Sequence, residues 1–446
     1  MDLTYGNRTS FGYQNRGAKI YGVSWDKSSN TELTRLGASI GMVANVGVDA
    51  QVVQNDFDSA QIYKEMVEVV DLYGNQFIRI PKFYIRKVDQ ANLKTWEISK
   101  KPFTGCYLPW CFWDFTNNKS LPYIDVGKYK AGQDGSNRLT SKTGEYPLVN
   151  TNIVSFRTKA QANGVGYQLL DIHLQDVLET LFLVEFATLN SQSKMSGYTT
   201  GQYSATQTAV IAESGVNRIV LTNANASGYV VGQTIGIGTT LGGQQIASNR
   251  QITAINTYDA SNKSIVFDGS AVNIAIGNIL YNTGQKNGDT DSVVAKSGSR
   301  ISNSDGKRPC KYRGIESPWG DVWQWMDGIN INNNQSWICE NPSSYASNVF
   351  AFPYKQIGYV NKNADGWVKS RGFDSNYPFC EICVDNTGAS NQYYSDYYYQ
   401  NTGQRVAHVG GYWNVDSHAG LFFRALALGS SDSYLVVGSR LLKKPL

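Results

Sequence analysis

The segment ESPWGDVWQWMDGI, residues 316–329, decides how the chain is read. Trp323 and Trp325 stand two apart, so in a strand they share one face. Two later segments complete the pattern, HVGGYWN (408–414) and VGSRLL (437–442). Gly410 and Gly411 let the backbone approach closely while the Trp413 indole fills the core. The closing run YLVVGSRLL is nearly continuous in apolar residues, as a central strand is. These tryptophans and glycines read as a frame. Between its parts lies a polar and aromatic filling: Tyr412, Asn414, Asp416, Ser417 and His418, then Ser430, Ser431, Asp432, Ser433 and Tyr434.

Around this frame the composition narrows the choices. The 446 residues are enough for two or three domains, and 41% are hydrophobic, so a sizeable core is expected. Only 17% are charged, while Tyr numbers 28, Trp 10 and Gly 43. Tyr, Gly, Ser and Asn suit loop-rich β proteins and adaptable recognition surfaces. The net charge is +4, with no Lys/Arg block beyond Lys443-Lys444, which argues against nucleic acid as a partner. The N-terminal MDLTYGNRTS lacks the apolar stretch of a secretory leader. Apolar runs such as Leu181–Val184 are too short to insert in a membrane. CEIC (380–383) offers half a zinc site at most, because the other cysteines, Cys106, Cys111, Cys310 and Cys339, are scattered and only three His occur. No metal or other cofactor is expected, and the cysteines read as buried free thiols.

Periodicity places the elements. Asp58-Ser59 can cap a helix whose apolar face is Ile62, Met66, Val69 and Val70. FIRIPKFYIRKV (77–88) alternates like one strand, with Pro81 marking a bulge or edge. A short helix, SFRTKAQANG, ends on a glycine. The main helix spans about 168–190, where Leu170, Leu174, Val177, Leu178, Leu181, Phe182 and Phe186 form a broad apolar stripe. Short alternating runs between 203 and 292 predict a small all-β insert. The chain is therefore divided into 1–202, an N-terminal part with both main helices; 203–292, the insert; and 293–446, the part carrying the frame and its loops.

The three frame segments, in this order after a buried helix, resemble the C-type lectin fold. The branch is the one shared by formylglycine-generating enzymes and the variable proteins of diversity-generating retroelements. Gly320-Asp321-Val322-Trp323-Gln324-Trp325, Val409-Gly410-Gly411-Tyr412-Trp413 and Gly438-Ser439-Arg440-Leu441 carry the likeness. IYGVSWDK, FIRIPKFYI, VGKYKAG and LFLVEFATLNSQ, together with the three frame segments, also look like a family of bacteriophage tail-fibre or tail-tip proteins. The resemblance implies an α+β fold, two helices packed on twisted antiparallel sheets and rich in loops.

Catalysis has little support. The oxidase branch acts through paired cysteines between its last two motifs, and this chain has no Cys after Cys383. His418 beside Asp416 and Ser417 does not make a triad, whose members come from separate loops. The usual calcium-site signature of sugar-binding lectins is absent. The resemblance therefore implies an adhesin of the virion, at a phage tail tip or fibre, recognising a bacterial host surface protein or glycan. Its binding face would comprise Tyr412, Asn414, Asp416, Ser417, His418, Ser431, Asp432 and Tyr434. In NQYYSDYYYQN (391–401) five Tyr in seven residues are hard to bury, because each hydroxyl needs a partner. Tyr397, Tyr398 and Tyr399 therefore read as further recognition residues, with structural hairpin packing as the alternative. The family also implies other tail or baseplate proteins as partners, a homotrimer, and loops open to diversification by a retroelement. The alternative is a structural baseplate or fibre component without receptor contact.

Overall fold

The computed structural model describes residues 17–446. The polar segment 1–10, read above for a leader, lies outside the described residues. The frame segments converge. The strand Trp323–Asn332 pairs antiparallel with Gln404–Val409 and parallel with Val437–Gly438. Gly320 N donates to Gly410 O at 2.9 Å, and Trp413 N donates to Asp321 O at 2.9 Å. Arg440 closes the junction. Its guanidinium is buried and donates to Gln324 Oε1 at 2.9 Å and to the carbonyls of Gly127, Lys128, Glu316 and Ser317. The closing run is not one strand. Val437–Gly438 stays with Trp323–Asn332, whereas Leu441–Lys443 crosses into a second sheet between Tyr167–Leu169 and Tyr123–Gly127.

The largest sheet has eight strands. Its order is Lys355–Val360, Gln335–Ile338, Trp323–Asn332, Gln404–Val409, Arg424–Leu428, Tyr397–Gln400 and Gly366–Trp367, with Val437–Gly438 joined to Trp323–Asn332 off that path. Alternation sorts its side chains into two faces. Met326, Ala407, Val409, Tyr398 and Leu426 join one core. Trp323, Trp325, Val406, Phe423 and Ala425 join another. Trp323, Trp325 and Trp413 are all buried.

The α+β expectation of two helices laid on sheets does not hold. Strand accounts for 37% and helix for 11%, spread over many small sheets. Among the described residues there are three helices, α1 (Ile153–Gln161), α2 (Ile172–Phe186) and the single turn α3 (Asn223–Ala226). The physical reason is that α1 and α2 never share a layer. Ile153 and Phe156 of α1 pack with Trp323 and Trp325, whereas α2 lies in the first core. Short β-branched and aromatic runs, cut by glycines, take up most of the remaining chain.

Helix α2 is more enclosed than a stripe predicts, for all fifteen of its residues are buried. Asp171 caps it, its carboxylate accepting from Leu174 N at 2.8 Å. Three carboxylates on this sealed helix each find a cation. Asp176 pairs with Lys87, Glu179 with Arg371 at 2.7 Å, and Glu185 with Arg313 at 2.6 Å. Glu381 joins the group, bridging Lys87 at 2.9 Å and Lys94 at 2.6 Å. Such charges are tolerated in a dry interior only when paired.

Two local expectations fail. The helix over 58–70 is two 3-10 turns, Asp56–Ser59 and Tyr63–Glu65, followed by the strand Val67–Val70. Ile62, at φ +76°, breaks any continuing helix, and the β-branched valines favour a pleat. The single strand over 77–88 is two, Gln76–Pro81 and Tyr84–Asp89, in different sheets. Pro81 has no N–H to extend the ladder.

Between 203 and 292 a five-stranded sheet forms, in the order Arg218–Thr222, Asn262–Phe267, Ala247–Thr257, Thr234–Gly238 and Ile279–Asn282. It closes over its own cluster, which includes Ile219, Ile235, Ile237, Ile265 and Phe267.

Candidate functional site

The face of the large sheet that holds Trp323 and Phe423 is not fully covered. At its margin Tyr397, Tyr399, Tyr412, Val415 and Leu428 are packed against the core yet only partly buried. Three segments meet here. Trp367 is placed by register, because it pairs with Tyr397 across the edge of the sheet. His418 stacks on Tyr397 with ring centres 4.1 Å apart and planes at 19°. The Trp367 ring meets His418 edge-on at 4.9 Å and Tyr397 at 5.4 Å. Tyr412 lies 6.4 Å from Trp323, which in turn packs on Phe423 at 4.5 Å. Partial burial lowers the His418 pKa, against the pull of Asp416, so the ring is neutral near pH 7 and behaves as an aromatic plate.

The loop 412–418 is held through its backbone. Asp416 N donates to Thr199 O at 2.9 Å, and Gly201 N donates to Trp413 O. The Gln192 amide donates to Asp416 O and Ala419 O at 2.9 and 2.7 Å. Asn414 is exposed, but its amide donates to Gly201 O at 2.6 Å. Gly411, at φ +84°, leaves no room for a Cβ, which would stand 2.8 Å from the Ala419 Cβ. Asp416 and Ser417 are exposed on this pinned turn.

The other expected residues are placed unevenly. Tyr398 is not on the surface. It is 1% exposed, and its hydroxyl donates to Lys362 O at 2.8 Å and lies 2.6 Å from Gln400 Oε1. The alternation that turns Tyr397 and Tyr399 outward turns Tyr398 into the core beside α2. Tyr394, from the same tyrosine run, is also buried, its ring 5.7 Å from Trp25. Tyr399 is half-buried, with its hydroxyl 3.1 Å from Asn401 Oδ1. In the last loop the Asp432 carboxylate accepts from Gly429 N at 2.8 Å and so shapes its own turn. Ser431 and Tyr434 are exposed, and the Tyr434 carbonyl accepts from Asn150 N at 3.0 Å.

Trp367 was not visible as a site residue. Its neighbours in sequence, ADGWVK, carry no periodic signal, and only the pairing with Tyr397 gives it a role. All six cysteines are free and buried. Among the described residues no three His, Cys, Asp or Glu side chains converge to hold a metal ion. No helix there is long and apolar enough to cross a membrane. Chemically, the margin offers a fixed surface of neutral rings with hydroxyl and amide groups and the Asp416 carboxylate at its rim. Compared with family models and with curated proteins, the chain matches none.

Proposed function

We propose that the protein is a receptor-binding protein of a phage tail tip, an adhesin that grips a bacterial surface protein or glycan without transforming it. The observation that carries this reading is the aromatic margin, where Tyr397 and His418 stack and Trp367 meets both edge-on, three segments joined while only partly buried. Tyr and Trp supply large contact area at low entropic cost, and they dominate interface hot spots. The loop 412–418 supports it too, because a turn fixed by backbone bonds tolerates change in its outward side chains. The likeness of the frame motifs to tail proteins supplies the setting: the virion, tail or baseplate neighbours, and a homotrimer. Several copies on one virion multiply a weak single-site affinity.

The test is a competition. Purified protein, added to cells before phage, is expected to bind them and block adsorption. The Trp367→Ala/Tyr397→Ala variant, with an unchanged fold by circular dichroism, should lose the block. A variant that blocks as well as the wild type removes the margin from the proposal.

The structural reading has its own support. Ile40, Val43 and Val52 are exposed, as are Val294 and Ile301. The parallel pairing of Gly47–Val48 with Gly298–Ser299 draws these two segments together. If this face seats another tail protein, cross-linking of virions should join residues 40–52 to that neighbour, while cell binding stays absent.

A further inference from the structure

A cleft of about 860 Å³ opens between the hairpin tip at Asp89–Gln90 and the segments around Tyr359 and Phe373. No residue lining it belongs to the aromatic margin. Its volume falls within the roughly 300–1,000 Å³ of small-molecule sites.

The charges in its wall are already satisfied. The Lys27 ammonium pairs with Asp89 and donates to Gln90 O at 2.5 Å. The Asp374 carboxylate accepts from Gly358 N at 2.9 Å and Asn376 N at 2.8 Å. Arg371, in the floor, is neutralised by Glu179. Lys87, also in the wall, is held by Asp176 and Glu381, so the cleft has no surplus cation for a phosphate or carboxylate, and its one carboxylate without a cation, Asp374, is engaged by two backbone amides.

What it does present is aromatic and hydroxylated. Tyr359 is 44% exposed. Its ring lies against Gly372, where a Cβ would stand 3.0 Å from the Tyr359 Cε1. Glycine at 372 thus lets the ring sit close to the backbone while much of it stays exposed. Phe373 adds a second half-exposed ring, and the Lys94 ammonium lies 5.4 Å from that ring. Gln90 and Ser375 are exposed at the rim and offer donors and acceptors together. A ring with an apolar C–H face and neutral hydroxyls at its edge matches both features.

We propose that this cleft is a binding site for a neutral oligosaccharide, with one hexose lying on Tyr359 and its hydroxyls turned to Gln90, Ser375 and the Lys27–Asp89 pair. The site stands apart from the receptor-docking margin and does not depend on it.

Saturation-transfer NMR and calorimetry with the intact chain test this, using linear hexaoses of glucose, mannose, galactose and N-acetylglucosamine as probes, with hexagalacturonate and inorganic phosphate as charged controls. At least one neutral hexaose is expected to bind. Tyr359→Ala should weaken it at least tenfold, Tyr359→Phe should retain most of it, and Gly372→Ala should weaken it by unseating the ring. Trp367→Ala should leave it unchanged, which separates this site from the adhesion assay. Binding of none of the neutral probes, preference for a charged control, or full binding by a folded Tyr359→Ala protein would each overturn the proposal.

Discussion

Beneath α2 the eight-stranded sheet meets a dry interior that holds Lys87, Lys94, Asp176, Glu179, Arg371 and Glu381, all buried. On its other face, at the margin, it carries Trp367, Tyr397 and His418, half exposed and neutral. The usual arrangement, with apolar groups inside and charges outside, is locally reversed. Burial alone would raise the Glu381 pKa, but Lys87, Lys94 and Arg371 hold it well below the carboxylate range. Burial pushes the Asp176 carboxyl up to about 6 despite Lys87. The sealed face is thus held by mutual charge pairing, which penalises any partial opening. The open margin leaves part of its aromatic area uncovered, and the proposed adhesion rests on that area. One sheet thus separates a charge-paired, sealed face from a neutral, partly open one.

The contrast can be broken at its strongest point first. Arg440→Leu strips donors from three buried carbonyls and a partly buried fourth and is expected to cost on the order of 4 kcal/mol, read as a fall in the urea midpoint. Glu381→Gln, which takes the bridging carboxylate from two buried cations, Lys87 and Lys94, should cost about 3–5 kcal/mol. If either variant unfolds like the wild type, the sealed face is not where stability resides. At the margin, Trp367→Ala or Tyr397→Ala should lower host-cell binding by about 2 kcal/mol, roughly thirtyfold, while costing only about 1 kcal/mol of stability. Equal losses of stability from the two regions would erase the distinction.

A pH series sharpens it further. His408 lies under the margin, 4.6 Å from Trp323, and burial lowers its pKa from 6.5 to about 3. The unfolded chain binds a proton near pH 6.5 that the folded chain refuses, so this contribution to stability is present above 6.5 and lost as pH falls toward 3. Urea unfolding of His408→Phe between pH 7 and 4 should show a slope one proton shallower than the wild type. The smallest effect is expected at Ser431→Ala, within about 0.5 kcal/mol by thermal melting, because that side chain is exposed.

Parts of this were legible in the sequence for local reasons. The two-residue spacing of Trp323 and Trp325 put both on one face, and the apolar density of 170–186 marked a helix with no wet side. Other parts depended on long-range choices. VEVV at 67–70 fits a helix face or an edge strand equally well, and only pairing with Gln76–Pro81 decides it. Alternation in YYYQ fixes that Tyr398 opposes Tyr397 and Tyr399, but not which side meets α2. Trp367 became a site residue through a partner thirty positions along the chain. The fold class failed because α1 and α2, close in sequence, are drawn into separate cores.

The crossing of Leu441–Lys443 into the sheet between Tyr123–Gly127 and Tyr167–Leu169 has a consequence for biosynthesis. Those two upstream strands have no direct bond with each other in the sheet, so during translation they wait, edges bare, until the residues near 440 leave the ribosome. The sheet locks only once residues 441–443 have emerged to fill the gap, and nascent chains stalled short of that point are natural clients for chaperones.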